Sequence, residues 1–293
     1  MKRVEASELI FKILANVFLV IFALMCLYPF VYAFSAAISG GDAFNEGKVI
    51  LLPVDIQFDA FGAVINNKQF WVCYANTLFV TFYGTIWALL VAMLGAYALS
   101  KKRLVFRRGL NFFLVFTLWF TAGLVPQLMN YKTTQNVFDF FGVSDDKWLV
   151  VIAMGMAAFN VVLLRNAFEG VSKEIEEAAT VDGATELQLL FKVYAPMCKA
   201  TIATVTLFFA ISRWNGFFWA RIMIRNHYQW PLQVYIRQTL DDLTSENGTV
   251  ITDFAPESLI YAMIVCAIIP IIIIYPYIQK YFAKGVNMGG VKE

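Results

Sequence analysis

The side chains best placed for chemistry crowd into one acidic stretch, residues 166–199, NAFEGVSKEIEEAATVDGATELQLLFKVYAPMCK. Glu174, Glu176, Glu177 and Asp182 lie within it, behind Ser172 and ahead of Gly183. Grouped carboxylates can hold a metal or move protons, but both roles need company that this chain lacks. Its one histidine, His227, has no second ligand nearby, and Cys26, Cys73, Cys198 and Cys266 are widely separated with no CxxC spacing. Neither a metal, a disulfide framework nor a bound cofactor is expected. No HExxH, GxSxG or GxxxxGK[ST] run occurs, so the chain carries no recognisable hydrolase centre and no phosphate loop of its own. Recognition is what remains for the acidic residues.

Local physics predicts how the stretch folds. Ser172 is an N-cap, and Glu174, Glu176 and Glu177 put negative charge over the first turns, where the helix dipole favours it. Ile175, Ala178, Ala179 and Ala184 offer a narrow face of small residues, and Asp182-Gly183 permits a break or the close approach of another backbone. Leu187, Leu189, Leu190 and Phe191 then supply an apolar run toward Pro196. Three readings stand. A lipid-surface anchor is usually rich in Lys and Arg on its polar face, whereas this one is acidic, which anionic lipid repels. A docking helix for a groove in a protein partner fits better, and an ordinary connecting helix remains open.

The elements that carry this stretch are set by composition. Of 293 residues, 60% are hydrophobic and 15% charged, with net charge +2, and mean hydropathy is +0.65 with a pI near 8.2. Soluble domains run near 45–50% apolar and 25% charged. A disordered chain, a basic nucleic-acid-binding domain and a disulfide-stapled secreted domain are excluded, and nothing predicts a nucleic-acid partner. The main solvent is lipid. Six stretches are apolar enough to span, at residues 13–38, 78–99, 110–129, 148–164, 194–220 and 259–281. The first is too long for a signal-peptide core and is followed by no small-residue cleavage site, so it is read as a retained anchor.

Fifteen of the 23 Lys and Arg fall on one set of connections when both termini are placed in the cytoplasm. Seven fall on the other set, and Arg213 lies within the fifth span. The short KKRLVFRRG connection between spans two and three dominates the bias. The chain is then one membrane domain over 1–293. It has a cytoplasmic N-terminus at 1–12, outer loops at 39–77 and 221–258, an acidic inner loop at 165–199 and a cytoplasmic C-terminus at 282–293. The outer loops are rich in turn residues such as Gly40, Gly41, Pro53, Asn247 and Gly248, and either meet an external partner or are plain solvated loops.

Arg213 is a charge at membrane depth. Such groups usually face a bundle interior or an aqueous cavity, which suits contact with an anionic substrate such as a uronic-acid oligomer. Snorkelling to the interface among Trp214 and Trp219 is the alternative. Trp119, Tyr131, Trp214 and Trp219 can stack on sugar rings, or pack and belt the membrane as most such aromatics do. Asn160 either bonds across helices or lines a pathway.

Glu177-Ala178-Ala179, three residues, then Gly183 resembles the EAA signature of permease subunits of bacterial ATP-binding-cassette (ABC) importers. Val193-Tyr194-Ala195-Pro196 stands where that family carries an Ile-x-Leu-Pro element, with Ala for Leu as the departure. Asn76-Thr77-Leu78, Ala96-Tyr97-Ala98-Leu99-Ser100, Gly123-Leu124-x-Pro126, Phe159-Asn160, Trp214-Asn215 and the tail Lys284-Gly285-Val286-x-Met288-Gly289 resemble the carbohydrate-permease branch, of maltose-transporter type. The resemblance covers about residues 10–292.

It implies an all-α integral membrane protein with the six transmembrane helices of the type I ABC importer fold and a cytoplasmic coupling helix. That helix would sit in a cleft of an ATPase subunit. Glu174, Glu177, Ala178, Ala179, Asp182, Gly183, Leu187 and Pro196 would make or shape the contact, and Asn160, Arg213, Trp214, Asn215 and Trp119 would line the substrate pathway. It also implies a second permease subunit in a heterodimer, two cytoplasmic ATPases holding ATP and Mg, an extracytoplasmic solute-binding protein, the bacterial cytoplasmic membrane, and an oligosaccharide or polysaccharide fragment, acidic or neutral, as cargo. The competing classes are a secondary transporter, a non-sugar ABC permease and a membrane enzyme such as a lipid-modifying transferase or intramembrane protease. The first lacks inverted repeats and buried acids, and the last lacks a catalytic constellation.

Overall fold

The computed structural model describes residues 6–143, 145–244 and 255–286, and among these the chain is helical with short connections. In chain order the helices are α1 (Ala6–Ala37), α2 (Gly41–Asn45), α3 (Asp59–Asn66), α4 (Lys68–Ser100), α5 (Arg107–Trp119), α6 (Leu124–Phe140), α7 (Asp146–Ala153), α8 (Ala158–Glu169), α9 (Lys173–Val181), α10 (Glu186–Gln188), α11 (Ala195–Met197), α12 (Lys199–Trp214), α13 (Phe218–Met223), α14 (Leu232–Thr244) and α15 (Pro256–Val286). A π-helical stretch, Leu189–Tyr194, joins α10 to α11. The Asn247-Gly248 turn, Lys2, Arg3, Lys292 and the Met288-Gly289 end of the tail lie outside the described residues.

Three helices are long and apolar enough to cross a membrane unbroken: α1, α4 and the first part of α15. Three bent pairs complete six spans if each pair is counted as one: α5 with α6, α7 with α8, and the α10–α11 region with α12. Their bends are 115°, 51° and 92°, so spans three, four and five are not the continuous helices read from hydropathy. The reasons are local. Gly123 closes the α5–α6 break at φ +79° and Gly155 the α7–α8 break at φ +57°, a backbone region that side-chain-bearing residues avoid. Pro126 sits in the first turn of α6, where a missing N–H needs no partner. At span five the π-helical turn precedes Pro196, which has no N–H to continue an i→i−4 ladder. The second span begins earlier than its apolar core: α4 starts at Lys68, so the end of the 39–77 connection is helical.

The chain divides into two compact units. One holds α1, α2, α3, the first residues of α4, most of α14 and the first part of α15. Here Ser39 and Ile56 form an antiparallel bridge, Ser39 Oγ donates to Ser35 O and accepts from Val54 N, and Tyr32 and Phe44 pack on Tyr261 with ring centroids 5.6 and 5.9 Å away. The apolar side chains of α1 are almost all exposed, the expected face toward lipid or another subunit.

The other unit holds the remainder, from Val72 to Tyr235 and from Pro270. Its core runs along α4. Ala88, Ala92 and Ala96 recur every four residues and are fully buried, so α8 and α12 approach closely and pack Val161, Leu164, Phe168, Val205 and Phe209 against them. Asn76 and Thr77 have a clear task near the start of α4. The Asn76 amide donates to Tyr228 O (2.8 Å) and Trp230 O (3.1 Å), and Thr77 Oγ1 accepts from Leu232 N (2.6 Å). These bonds tie the connection after α13 onto the helix and satisfy backbone groups that would otherwise be orphaned.

Candidate functional site: the acidic loop and its clamp

Ser172 caps α9 as its sequence requires: its Oγ accepts from Glu174 N at 3.3 Å. The helix ends where Gly183 takes φ +81°, with Ala184 N reaching back to Ala179 O and Gly183 N to Thr180 O, both at 3.0 Å. A Cβ on Gly183 would meet nothing within 4 Å. Glycine is required here for its backbone angle, not for close approach within this chain. A second cap follows at once: Thr185 and Gln188 form a reciprocal capping box. The T-x-x-Q spacing is visible in the sequence and starts the segment that re-enters the core at Leu189 and Leu190, both fully buried.

Successive residues on α9 part company. Glu176 turns inward to Lys101, whose Nζ donates to Glu176 Oε1 at 2.6 Å and to the Tyr194 hydroxyl at 2.7 Å. Tyr194 in turn donates to Glu176 Oε2 at 2.6 Å. The ammonium lies 4.3 Å from the Tyr97 ring centroid and 4.0 Å from that of Tyr194, and the two rings meet edge to face at 5.2 Å. Tyr97 donates to Glu186 Oε2 at 2.7 Å, and Arg103 also bonds Glu186. One closed set of charges and phenols thus joins the end of α4, α9, α10 and the π-helical turn. The side chains of Lys101 and Glu176 retain only 10% and 24% of their exposure, so little solvent screens the pair. Burial pushes the Glu176 carboxyl up, but the Lys101 ammonium and Tyr194 hydroxyl outweigh it and hold it below the usual carboxylate range. The hydrogen bond to Glu186 raises Arg103 above its ordinary value.

Among the described residues the opposite face makes no bond to the bundle, and the Glu174 carboxylate accepts only from Ser172 Oγ within the same turn. Glu174, Glu177, Ala178 and Asp182 are exposed, as are the apolar side chains of Ile175, Val181 and Leu187. Of the small face expected from sequence, Ala179 and Ala184 pack against the core while Ile175 and Ala178 point away from it. Pro196 lies in α11, just beyond Tyr194. A cavity of about 770 Å³ opens beside the clamp, lined among others by Arg107, Lys173, Glu176, Glu177 and Tyr194. Arg107 reaches Leu99 O (3.0 Å) and bonds Glu169, fastening the start of α5 beside it.

The chain belongs to the binding-protein-dependent transport system inner membrane component family, whose model matches residues 1–288. It is a multi-pass membrane permease and not an enzyme. A solved structure of a bacterial ABC transporter involved in the import of the acidic polysaccharide alginate contains a chain 44% identical, with TM-score 0.85, covering 96% of this chain and all of that one. A chain of a bacterial alginate ABC transporter solved in complex with an alginate pentasaccharide-bound periplasmic protein is 16% identical with TM-score 0.59, over 97% of this chain and 95% of that one, and shares the fold. Among curated relatives, the polygalacturonan/rhamnogalacturonan transport system permease protein YtcP of Bacillus subtilis is 32% identical, covering 97% of this chain and 98% of that protein. The diacetylchitobiose uptake system permease protein DasC of Streptomyces coelicolor is 27% identical, covering 96% and 97%. These likenesses bear out the all-helical ABC importer fold and the carbohydrate branch.

The five pathway residues named from sequence are not brought together. Asn160 and Arg213 line one cavity. Trp119 ends α5 and is 81% exposed, Trp214 is buried edge-on against Tyr74 at 6.0 Å, and Asn215 is exposed at the end of α12. Tyr131 and Trp219 pack on each other at 4.6 Å. Among the described residues no group of His, Cys, Asp and Glu is arranged to hold a metal.

Nothing in the sequence marks Lys101, Glu176, Glu186, Tyr97 and Tyr194 as a unit. Lys101 reads as one of several loop cations and Tyr194 as an unremarked position inside the Val193–Pro196 element.

Proposed function

We propose that this chain is one permease subunit of an ATP-driven importer that carries acidic oligosaccharides across the cytoplasmic membrane, and that α9 is its coupling helix. The observation that carries the reading is the two-sided presentation of α9. Glu176 is locked to Lys101 and Tyr194 on one face, while Glu177, Ile175 and Ala178 stand exposed on the other, with Leu187 exposed just beyond it on α10. A helix held rigidly to a bundle by buried charge, with an apolar and acidic outer face, suits insertion into a groove of a second protein. ATP binding and hydrolysis belong to that second protein, because this chain has no phosphate loop.

The Lys and Arg bias supports a cytoplasmic position for α9 and both termini. A six-span chain forms half of a pathway, so a second permease pairs with it, and two ATPases serve the pair. The family's dependence on binding proteins supports an extracytoplasmic partner that delivers substrate. The acidic cargo rests on the relatives named for polygalacturonan/rhamnogalacturonan transport and for alginate import.

Reconstituting the chain with its partner permease, ATPase and binding protein in proteoliposomes tests this reading. ATP-dependent uptake of labelled uronate oligosaccharides is expected. Assembly without an ATPase, or uptake of neutral oligosaccharides alone, would overturn it.

A further inference from the structure

Arg213 is 3% exposed and lies near the end of α12, within the fifth span read from the sequence. Its Nη2 donates to Gly155 O at 2.6 Å, at the break between α7 and α8. Its Nε is buried with no acceptor. No Asp or Glu forms an ion pair with it among the described residues, and the side chain lies directly against Gly84 of α4, where an added Cβ would come within 3.1 Å of Nε and 3.2 Å of Cδ. A buried guanidinium with one carbonyl for company is costly, because desolvation is repaid only by an opposite charge or by full hydrogen bonding.

The same residue lines a cavity of about 460 Å³ together with Asn160, Ser212, Gly155, Phe159 and Phe208. Asn160 is 4% exposed, and its amide makes no hydrogen bond to the described residues. The Phe159 and Phe208 rings stand 6.4 Å apart on the wall. A volume of that order is typical of small-ligand pockets. The cavity therefore combines a cation without a counter-charge, a free amide and aromatic faces, all on α8, α12 and the α7–α8 break.

We infer that this cavity is a subsite for one uronate unit of the cargo, with Arg213 receiving the sugar carboxylate, Asn160 bonding a ring hydroxyl, and Phe159 and Phe208 flanking the ring. It rests on the acidic-oligosaccharide reading above and assigns it a place. Arg213 then has two duties: Nη2 holds the carbonyl that ends α7, and the remaining charge meets the anion. The carboxylate is bound as an anion and no bond is made or broken.

The test uses the assembled transporter in nanodiscs, titrated with trigalacturonate, an alginate trisaccharide and their carboxyl-reduced counterparts, for wild type, Arg213→Gln and Arg213→Lys. Wild type is expected to bind the acids more tightly than the reduced sugars. Arg213→Gln is expected to weaken acid binding by about tenfold or more, the scale of one charge-assisted hydrogen bond, and to weaken the reduced sugars much less. Arg213→Lys should retain part of the preference, since it keeps the charge without the planar fork. Equal weakening of acidic and reduced sugars by Arg213→Gln would make Arg213 a helix-break support alone and overturn the subsite. Failure of wild type to bind either acid would overturn the acidic-cargo reading itself, a different result.

Discussion

Lys101 Nζ and Glu176 Oε1 lie 2.6 Å apart, joining the first residue after α4 to the middle of α9 across 75 positions of sequence. Tyr194 closes the triangle from the start of span five. A displacement of α9 must therefore move α4 and span five with it or break a nearly buried ion pair. If α9 is the coupling helix proposed above, this clamp would carry a stroke received on its outer face to the bundle.

Removing one partner tests that link. Lys101→Met leaves Glu176 without its counter-charge, held by the Tyr194 hydroxyl alone, and should destabilise the unit by about 1–3 kcal/mol. Lys101→Met with Glu176→Met should cost less than the two single changes summed, read as a coupling energy from thermal unfolding in detergent. In proteoliposomes the single variant should hydrolyse ATP while transporting less per ATP.

The pair also predicts an acid sensitivity. Because the folded state holds the Glu176 carboxyl below its ordinary value, its contribution is fully present above that ordinary value and is lost as pH falls through the lowered one. Thermal stability followed from neutral to about pH 3 should fall more steeply in wild type than in Glu176→Gln. Parallel curves would show that Glu176 is not the group responsible.

Glu177 should behave oppositely. It is exposed and makes no side-chain hydrogen bond or ion pair among the described residues, so Glu177→Lys should leave unfolding within about 0.5 kcal/mol of wild type. It should nonetheless lower ATPase co-purification and uptake by about tenfold or more, as charge reversal at a protein interface does. Unchanged co-purification would remove Glu177 from the docking face.

Gly183→Asp places a side chain at φ +81°, costing about 1 kcal/mol of local strain. There is space for the side chain within the chain itself, so membrane insertion should survive while uptake is lost. Insertion is read by protease protection and uptake by labelled substrate. Gly183→Asn, which tolerates this backbone region better, should retain more activity.

Much of this protein was legible from residue order. The apolar runs, the cation bias, the Ser172 cap, the Gly183 break and the EAA spacing are local patterns, and each reports a local free energy: transfer to lipid, a capped N–H, a positive φ. Hydropathy located the stretches that became spans three, four and five, but not their breaks. An averaged window is blind to one glycine at φ +79° or +57° inside an apolar run. Pathway residues chosen by type scattered for a similar reason, since Trp119 and Arg213 look equally suited to a sugar and only packing separates an 81% exposed ring from a 3% exposed guanidinium.

Residue order alone determined that the chain is lipid-solvated, that an acidic helix interrupts its spans, and where that helix must stop. Only tertiary structure decided that Glu176 faces in and Glu177 faces out. Adjacent residues differ by about 100° around a helix, and which of them meets a cation depends on Lys101, which folding brings there from the far end of another helix.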